Sequence, residues 1–446
     1  MKRSSLFGHV IELYDIVRTG RRPADGVVGE FFRARRYLGA KDRRFIAAMV
    51  FGLLRHYRLV EFHAEEAFRL AGGGSVPRSM PAVALICAYV IKVTGETTDS
   101  LAPDLCGLWR VYVPDTDCAR FLEVVSTAAL PIEAEKHSAR ELAIRFSFPD
   151  LIVGEWIERY GPDETARLCS SLNTPAPTTI RVNTLATSVE QCRDALIEEG
   201  VETQRTPLSP VGLTFSKRIN AQALRSFKQG FFEMQDEGSQ LLSLLTAAAP
   251  GATVVDACAG GGGKTLHLAA MMGNQGKLLA IDVEEARLKN IRQRLTRAGV
   301  SVVQLCLAYR DREVIRQWTG KADVVLLDAP CTGVGTFRRN PGAKITFTGS
   351  FVERVVQTQH EVLEEYAPLV RPAGRLVYST CTLLKKENED QVEGFLSRHP
   401  AFELVSASEV LSQHDVRIES GSPYLTLLPH KTMTDGFFAA VMTRRA

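Results

Sequence analysis

The sequence predicts an α/β protein whose C-terminal half contains a mostly parallel sheet with helices on both faces. From about residue 229, apolar strand-like segments alternate with helical stretches, which is typical of such a sheet. Before residue 136 the chain has helical periods and few alternating β-branched runs, which predicts an all-helical region. Between them, short strands and one helix predict a small α+β subdomain.

The first predicted domain, residues 1–135, is all-helical. A helical segment starts at Lys41 and is expected to stop at Gly72–Gly74. Further helical stretches are predicted at 81–93, 103–113 and 118–129. The long segment places its apolar side chains on one face, namely Phe45, Ile46, Met49, Val50, Leu53 and Leu54.

The second predicted domain, residues 136–228, is the small α+β subdomain. The breaker cluster NTPAP at 173–177 precedes its first strand. The segment TTIRVNTL alternates like a strand, SVEQCRDALIEEG is typical of a helix, and VGLTFS and GFFEMQD predict further short strands.

The third predicted domain, residues 229–446, contains the parallel sheet. In such sheets ligands bind beyond the carboxyl ends of the strands, so the residues at those ends are the candidate site. The candidate strands are TVVDAC (253–258), KLLAIDV (277–283), SVVQLCL (301–307), ADVVLLDAP (322–330) and GRLVYSTC (374–381).

Composition excludes several classes of protein. With 446 residues, 45% hydrophobic and 24% charged, the chain is not a disordered tail or a fibre. The longest apolar stretch, 82–91, is shorter than the roughly 18 residues that a membrane span needs, and we expect neither a span nor a signal peptide. Nine cysteines without a CxxC pair predict free thiols, a cytoplasmic protein and no metal site.

The net charge of +3 (54 − 51) hides an uneven distribution. Residues 1–60 carry 13 Lys and Arg against 5 Asp and Glu, a balance of +8. The basic stripe RARRYLGAKDRR at 33–44 is either a phosphate-binding face or a solvated helix face, and charge alone does not separate the two.

A glycine-rich loop follows the first core strand, in DACAGGGGKTLHLAA from Asp256. It is not a P-loop, because Cys258 stands where that pattern needs glycine, and it lacks GxGxxG. Asp282 ends the next strand, where a carboxylate accepts hydrogen bonds from ribose hydroxyls. A glycine loop without a phosphate pattern, together with a ribose carboxylate, fits S-adenosylmethionine. Alternatively, Asp282 only caps the helix that starts near Glu284.

Two cysteines follow core strands, Cys331 in Asp-Ala-Pro-Cys and Cys381 in Ser-Thr-Cys. A lone cysteine is usually a small buried hydrophobic residue, but two at strand ends indicate chemistry. A thiolate that adds to carbon 6 of cytosine makes carbon 5 nucleophilic toward a methyl sulfonium. Asp328 stands where a carboxyl group would face nitrogen 3, and the second thiol would assist loss of the carbon 5 proton and breakdown of the adduct.

These motifs resemble those of the Nop/Sun-type RNA cytosine-5 methyltransferases over about residues 140–446. The resemblance rests on DACAGGGGKT, AIDVEEARLKNI, LLDAPCTGVGTFRRNP and GRLVYSTCTLLKKENEDQV, with RVNTL (181–185), FFEMQDEGSQL (231–241) and LPHKTMTDGFFAA beside them. The N-terminal FRARRYLGAKDRRFIAAMVFGLLR resembles the NusB-like domain of the bacterial small-subunit ribosomal RNA methyltransferase B group. The implied fold is a Rossmann-like methyltransferase core with a small α+β subdomain and a NusB-like N-terminal domain.

The resemblance implies a role for each matching residue. Cys381 is the expected nucleophile, Cys331 the thiol that aids product release, and Asp328 the carboxylate that faces the base. The cofactor S-adenosylmethionine is expected to contact Cys258, Ala259, Gly260, Gly261, Gly262, Gly263, Lys264, Asp282 and Asp328.

The sequence departs from the family at two places. The loop has Gly-Gly-Gly-Gly-Lys where the family often has Ala-Pro-Gly-Gly-Lys, which is tolerable because glycine can adopt the same turn. The third strand has Leu307 where the family has an Asp that contacts the adenine, and Asp311 follows four residues later. Either the adenine is held differently or the register is shifted.

We therefore expect an enzyme that forms 5-methylcytosine in RNA. The substrate is expected to be ribosomal RNA of the small subunit, with transfer RNA as the alternative. A catalytically idle assembly factor on the same fold and, less favoured, a DNA cytosine methyltransferase are the other hypotheses. The first two predicted domains are expected to bind RNA, and we expect a monomer that needs no membrane and no metal.

Overall fold

The computed structural model of the chain describes residues 1–20, 22–71, 76–128, 138–217, 219–418 and 421–446. The chain forms two compact units. Unit 1 contains Met1–Pro175 together with Phe337–Gly349, and unit 2 contains Ala176–Thr336 and Ser350–Ala446. The described residues 138–175 therefore lie in unit 1. The three-domain division with boundaries at 135 and 228 stays a prediction.

Unit 1 is helical, as predicted for the N-terminal region. Its helices bury one face each around an aromatic cluster in which the ring of Trp109 lies 4.5 Å from that of Phe121, centroid to centroid. The helices are α1 (Arg3–Thr19), α2 (Ala24–Ala34), α3 (Ala40–Arg55), α4 (Tyr57–Ala71), α5 (Ala82–Lys92), α6 (Thr98–Tyr112), α7 (Cys118–Thr127), α8 (Ala139–Arg145), α9 (Asp150–Tyr160) and α10 (Pro162–Leu172).

The single long helix predicted from Lys41 is wrong, because the structure divides it at His56. This residue leaves the helical conformation, with φ −113° and ψ 24°, so that α3 ends before it and α4 starts after it. The break lets α3 pack on α1 while α4 packs on α5 and α7. A straight helix of this length would span about 45 Å and could not follow both surfaces. The stop predicted at Gly72–Gly74 lies outside the described residues.

The segment Phe337–Gly349 belongs to unit 1 although it follows the Cys331 loop closely in the sequence. Its helix α17 (Ala343–Thr346) carries Lys344, which is 1% exposed. The ammonium group of Lys344 donates to Asn173 Oδ1 at 2.5 Å and lies 3.7 Å from the ring centre of Phe148. These contacts anchor the segment within the helical unit, an arrangement that local sequence patterns do not reveal.

Unit 2 contains a small antiparallel sheet with strand order β2-β3-β1-β4. Its strands are β1 (Thr179–Val182), β2 (Thr203–Arg205), β3 (Gly212–Phe215) and β4 (Phe232–Met234), and α11 (Val189–Glu198) connects β1 to β2. The predictions of β1, α11, β3 and β4 are confirmed in type. The short and partly exposed β2 was not predicted.

The larger sheet of unit 2 has the order β10-β12-β9-β8-β5-β6-β7, with β11 paired to β12. The predicted core strands are confirmed and run parallel as β5 (Thr253–Asp256), β6 (Lys277–Asp282), β7 (Val303–Leu307), β8 (Ala322–Asp328) and β9 (Val370–Thr380). Three antiparallel strands were not predicted, namely β10 (Phe402–Val405), β11 (Leu425–Leu427) and β12 (Phe437–Arg444).

The remaining helices of unit 2 connect and cover these strands. In the part of the chain that the structure describes, no helix is long and apolar enough to cross a membrane. The helices are α12 (Arg225–Lys228), α13 (Glu237–Leu244), α14 (Gly263–Met271), α15 (Glu285–Ala298), α16 (Arg312–Gln317), α18 (Gly349–Tyr366), α19 (Glu389–Arg398), α20 (Ala407–Ser412) and α21 (Pro429–Thr432).

Candidate active site

The strand order places the predicted site residues at one edge of the larger sheet. The chain starts the sheet with β5, adds β6 and β7 on one side, and then returns to add β8 and β9 on the other. A crevice between β5 and β8 follows from this reversal, and it is where such sheets bind ligands. Asp256 and Asp328 end the two strands that border it, while Asp282 and Thr380 end β6 and β9.

The glycine loop between β5 and α14 depends on left-handed backbone conformations. Gly260 has φ +55° and Gly262 has φ +79°. A Cβ at Gly262 would also lie 2.8 Å from Cγ1 of Ile291, so a larger residue would be strained there in two ways. The loop therefore turns tightly and leaves its backbone groups, rather than side chains, for a ligand.

Asp282 braces this loop and also caps the following helix region. Its Oδ2 accepts a hydrogen bond from Gly260 N at 2.8 Å, and its Oδ1 accepts one from Glu284 N at 2.8 Å. The two alternatives drawn from the sequence are thus compatible. Each carboxylate oxygen can accept a second hydrogen bond, as a ribose hydroxyl would require.

Asp256 provides a buried acceptor at the start of the loop. Its Oδ2 accepts from the Thr265 hydroxyl at 2.6 Å, whereas Oδ1 is buried without a hydrogen-bond partner among the described residues. Burial raises the pKa of this carboxyl group to about 7. A buried acceptor next to a glycine loop fits the ammonium group of a ligand with an amino-acid tail, as in S-adenosylmethionine.

Asp328 and Lys264 connect the loop to the end of β8. Lys264 Nζ donates to Asp328 Oδ2 at 2.7 Å, and the Ser379 hydroxyl donates to Oδ1 at 3.1 Å. Burial alone would lower the pKa of Lys264, but the charge of Asp328 and its hydrogen bond, with the thiol of Cys381 nearby, raise it overall. Lys264, predicted as a cofactor residue, thus contacts the carboxylate predicted to face the base.

The two predicted thiols lie together. Cys331 Sγ is 3.2 Å from Cys381 Sγ, and Cys381 N donates to Cys331 Sγ at 3.3 Å. The hydrogen bond with Cys381 and burial raise the pKa of Cys331 well above its ordinary value, so this thiol is neutral. Of the predicted loop residues, Cys258 is also held neutral, since burial raises its pKa.

The side chains that hold these loops were not predicted from the sequence. Glu387 accepts hydrogen bonds from residues beside both thiols, and Arg181 and Arg294 donate to carbonyl oxygens of the glycine loop. Glu387 stands in KKENED and Arg181 in RVNTL, within quoted motifs to which the sequence assigned no role. A cation between the apolar residues Ile180 and Val182 was the available signal for Arg181, whereas Glu387 stands in a run of charged residues that gave no such signal.

The departure at the third strand is also clarified. β7 ends at Leu307 in the predicted register, opposite Asp282. Asp311 Oδ2 accepts from Leu307 N at 2.8 Å, so the turn after β7 places the Asp311 carboxylate beside the end of this strand. Both alternatives, a shifted register and a different contact to the adenine, stay predictions.

Comparison with known proteins decides the family. A family model described as 16S rRNA methyltransferase RsmB/F matches residues 243–443, and one for an RsmF/B-like ferredoxin-like domain matches residues 148–222. The chain is 32% identical to the probable ribosomal RNA small subunit methyltransferase B of Bacillus subtilis over 315 residues, 70% of each chain. The protein of the same name from Synechocystis is 30% identical over 413 residues, 90% of this chain and 91% of that one. The chain belongs to the RsmB/F methyltransferase family.

Solved structures support the same fold for this RsmB/F family member. The crystal structure of PH0851 has a TM-score of 0.75 and 26% identity, and the match covers 99% of both chains. A methyltransferase homologue from Pyrococcus horikoshii has a TM-score of 0.58 and 28% identity, covering 69% of this chain and 98% of that one. The predicted family, the fold class and S-adenosylmethionine as the cofactor are confirmed.

Proposed function

We propose that this family member transfers the methyl group of S-adenosylmethionine to carbon 5 of a cytosine in small-subunit ribosomal RNA. The observation that supports this reaction is the pair of thiols 3.2 Å apart at the ends of β8 and β9, beside the Lys264–Asp328 pair. The RNA is proposed from the relatives, which are named for the small ribosomal subunit. A transfer RNA substrate is the alternative outcome of the test below.

In the proposed mechanism, the Cys381 thiolate attacks carbon 6 of the cytosine and forms a C–S bond. The electron pair displaced from the ring double bond makes carbon 5 nucleophilic, while the Asp328 carboxyl group faces nitrogen 3 and stabilises the charge that develops there. The bound cofactor supplies an electrophilic methyl group. Carbon 5 then loses its proton, the C–S bond breaks, and Cys381 leaves as a thiolate.

Cys331 is the proposed base for the carbon 5 proton. Its hydrogen bond with Cys381 is the largest cause of its raised pKa. Because that hydrogen bond is lost when Cys381 bonds to the substrate, the pKa of Cys331 falls at the step that needs a base. The Cys331 thiol can then release its own proton to solvent, and the resulting thiolate accepts the carbon 5 proton.

The residues predicted to bind the cofactor are proposed to contact different parts of it. Asp282 is proposed to bind the ribose and Asp256 the ammonium group, while the backbone of Cys258 to Lys264 lines the site. We also propose Asp311 as the carboxylate on the adenine side, because it lies at the end of β7.

RNA binding is proposed for the basic stripe of α2 and α3 and for the small sheet. Arg33, Arg36, Lys41 and Arg44 are exposed, and Tyr37 between them is 66% exposed. Exposed cations bind phosphates, and an exposed aromatic ring stacks on an unpaired base. Binding is therefore expected to weaken steeply with salt. A flat salt dependence would contradict this assignment.

The test is incubation with methyl-labelled S-adenosylmethionine and unmethylated small-subunit ribosomal RNA or transfer RNA. We expect labelled 5-methylcytosine in the ribosomal RNA, no label with Cys381→Ala, and an accumulated protein–RNA adduct with Cys331→Ala. Cys106→Ala, a half-buried cysteine of α6, is the control and should retain activity. Label in transfer RNA would change the substrate only, whereas an active Cys381→Ala protein would overturn the mechanism.

A further inference from the structure

One buried carboxylate receives hydrogen bonds from both thiol loops. Glu387 Oε2 accepts from Thr332 N at 2.8 Å, and Oε1 accepts from the hydroxyls of Thr332 at 2.5 Å and Thr382 at 2.8 Å. Gln359 Nε2 donates to Oε2 at 3.0 Å. Thr332 directly follows Cys331, and Thr382 directly follows Cys381, so the two cysteine-bearing loops share one acceptor.

The carboxylate is itself held firmly. Glu387 is fully buried, and its backbone carbonyl accepts from the Tyr378 hydroxyl at 2.6 Å. The neighbouring Asn388 donates to Thr382 O at 3.1 Å and accepts from the Thr380 hydroxyl at 2.6 Å. The position of Glu387 is therefore not set by the thiol loops alone, because hydrogen bonds also hold this segment to β9 and to the turn after β9.

Burial of the Glu387 carboxylate has an electrostatic cost. Burial raises the pKa of Glu387, and the hydrogen bonds from Thr332, Thr382 and Gln359 offset that effect only in part. Threonine and asparagine side chains could join the two loops without a buried acid. A carboxylate differs because it accepts several donors at once and so fixes two segments in one geometry.

We propose that Glu387 is a positioning residue that sets the separation of the Cys331 and Cys381 thiols. It touches neither the substrate nor the cofactor in this scheme, and acts by fixing the residue after each cysteine. The expected effect of Glu387 on methylation rests on the proposed two-thiol mechanism. Its effect on the distance between the two thiols does not depend on that mechanism. The two are therefore tested separately.

The thiol spacing is tested with phenylarsine oxide, a trivalent arsenical that reacts with two neighbouring thiols. Two As–S bonds form, and the oxygen leaves as water with both thiol protons. We expect the native protein to bind one equivalent at this pair and Glu387→Gln to bind it about tenfold more weakly. The amide NH2 replaces one of the two acceptor oxygens, so a donor then faces either the Thr332 N–H or the hydroxyls of Thr332 and Thr382.

The controls separate positioning from general damage. Glu393→Gln alters an exposed acid of α19 and should bind the arsenical like the native protein. Cys331→Ala defines binding without the pair. Thr332→Val removes one hydroxyl, with its contacts to Glu387 and to the Thr382 hydroxyl, but leaves the carboxylate and the Thr332 N–H. It should give a smaller loss and serves if Glu387→Gln does not fold. Native-like arsenical binding by folded Glu387→Gln, or by Thr332→Val in its place, overturns the proposal.

Steady-state kinetics then connect the spacing to catalysis. We expect Glu387→Gln to lower kcat for methylation about tenfold or more and to leave KM for S-adenosylmethionine unchanged, because the glycine loop is untouched. Loss of affinity for both the cofactor and the arsenical would indicate general damage and contradict a positioning role. Weak arsenical binding with native kcat would retain the positioning role and contradict the two-thiol mechanism.

Discussion

The glycine loop and the two thiol loops are fixed in opposite ways, although both lie at the same sheet edge. The glycine loop is held largely through its carbonyl oxygens, since Arg294 donates to Gly261 O and Arg181 donates to Gly263 O at 2.6 Å. The thiol loops are held through their donors, which converge on Glu387. Asp282 also accepts from Gly260 N, but cations contact acceptors only in the glycine loop, whereas the thiol loops are held by an anion that contacts donors.

The difference follows from the residues available in each loop. Glycines have no side chains, so a loop that offers its backbone to a ligand can be fixed only through that same backbone. The threonines after each cysteine have hydroxyl groups, and both can donate hydrogen bonds to one carboxylate. Arg181 and Glu233, which bonds to Arg294 at 2.9 Å, lie on the small sheet. Substitutions in the two regions should therefore impair different steps, cofactor binding in one and thiol chemistry in the other.

The largest effect is expected at Lys264, because it belongs to both regions. Lys264→Met removes the cation 2.7 Å from Asp328, and we expect the methylation rate to fall about 100-fold. Lys289→Met, which alters a lysine that is 72% exposed, is the control. Single-turnover methylation measures both variants, and an unchanged rate for Lys264→Met would show that the ion pair has no part in catalysis.

Arg181→Met should affect the cofactor alone. The guanidinium group is 1% exposed, and its loss frees Gly263 O, so we expect the dissociation constant of S-adenosylmethionine to rise about tenfold. Arg181→Lys should recover part of this affinity. Calorimetry measures the affinity, and arsenical binding at the thiol pair should not change. If both variants lose arsenical binding, the two regions are not independent.

The pH dependence of cofactor binding tests Asp256. Its pKa of about 7 lies above the ordinary 3.8, with Thr265, Lys264, Asp328 and Asp282 around it. Between these values the folded state keeps a proton that the unfolded state has lost, so the free energy of unfolding falls as pH rises through this window.

A bound ammonium group favours the ionised carboxylate. Cofactor binding at pH 6 should therefore release a proton, and affinity should rise with pH up to about tenfold per unit below pH 7. Calorimetry in buffers of different ionisation enthalpy counts the proton. Asp256→Asn should abolish both effects, and a native-like pH profile in that variant would exclude Asp256 as their source.

The smallest effect is expected for Glu233→Gln. Glu233 accepts hydrogen bonds from Arg294 and Arg297, whose side chains are 23% and 22% exposed. Glu233 is itself 2% exposed, but Gln keeps one acceptor oxygen and both arginines keep contact with solvent, so we expect the dissociation constant of the cofactor to rise only about threefold. The same calorimetry applies, and an effect as large as that of Arg181→Met would place the main support of the loop at Arg294.

Much of the fold could be predicted because its signals are local. The parallel strands β5 to β9 contain apolar runs that alternate with helical stretches, and three of them, β5, β6 and β8, end in Asp. The antiparallel β10 and β11 are too short to stand out, and β12 was noted only as a motif. The break at His56 was missed because an unbroken apolar period continues through it.

The residues of the site also divide into those that local sequence signals predict and those whose contacts come from distant segments. Asp282, Asp328, Cys331 and Cys381 could be predicted as a group because each ends or follows a core strand, and parallel strands bring such ends to one edge. Glu387 could not be assigned a partner, since its hydrogen bonds reach back 55 residues to Thr332. No local period encodes a contact of that range.

The sequence by itself determined which groups meet at the sheet edge, because strand order and strand ends are local properties of the chain. Only the tertiary structure decided how they are held: two thiols 3.2 Å apart, Lys264 on Asp328, and two arginines on a glycine loop. The physical reason is that burial of a charge is favourable only with partners in place. Those partners come from distant segments that the fold alone brings together.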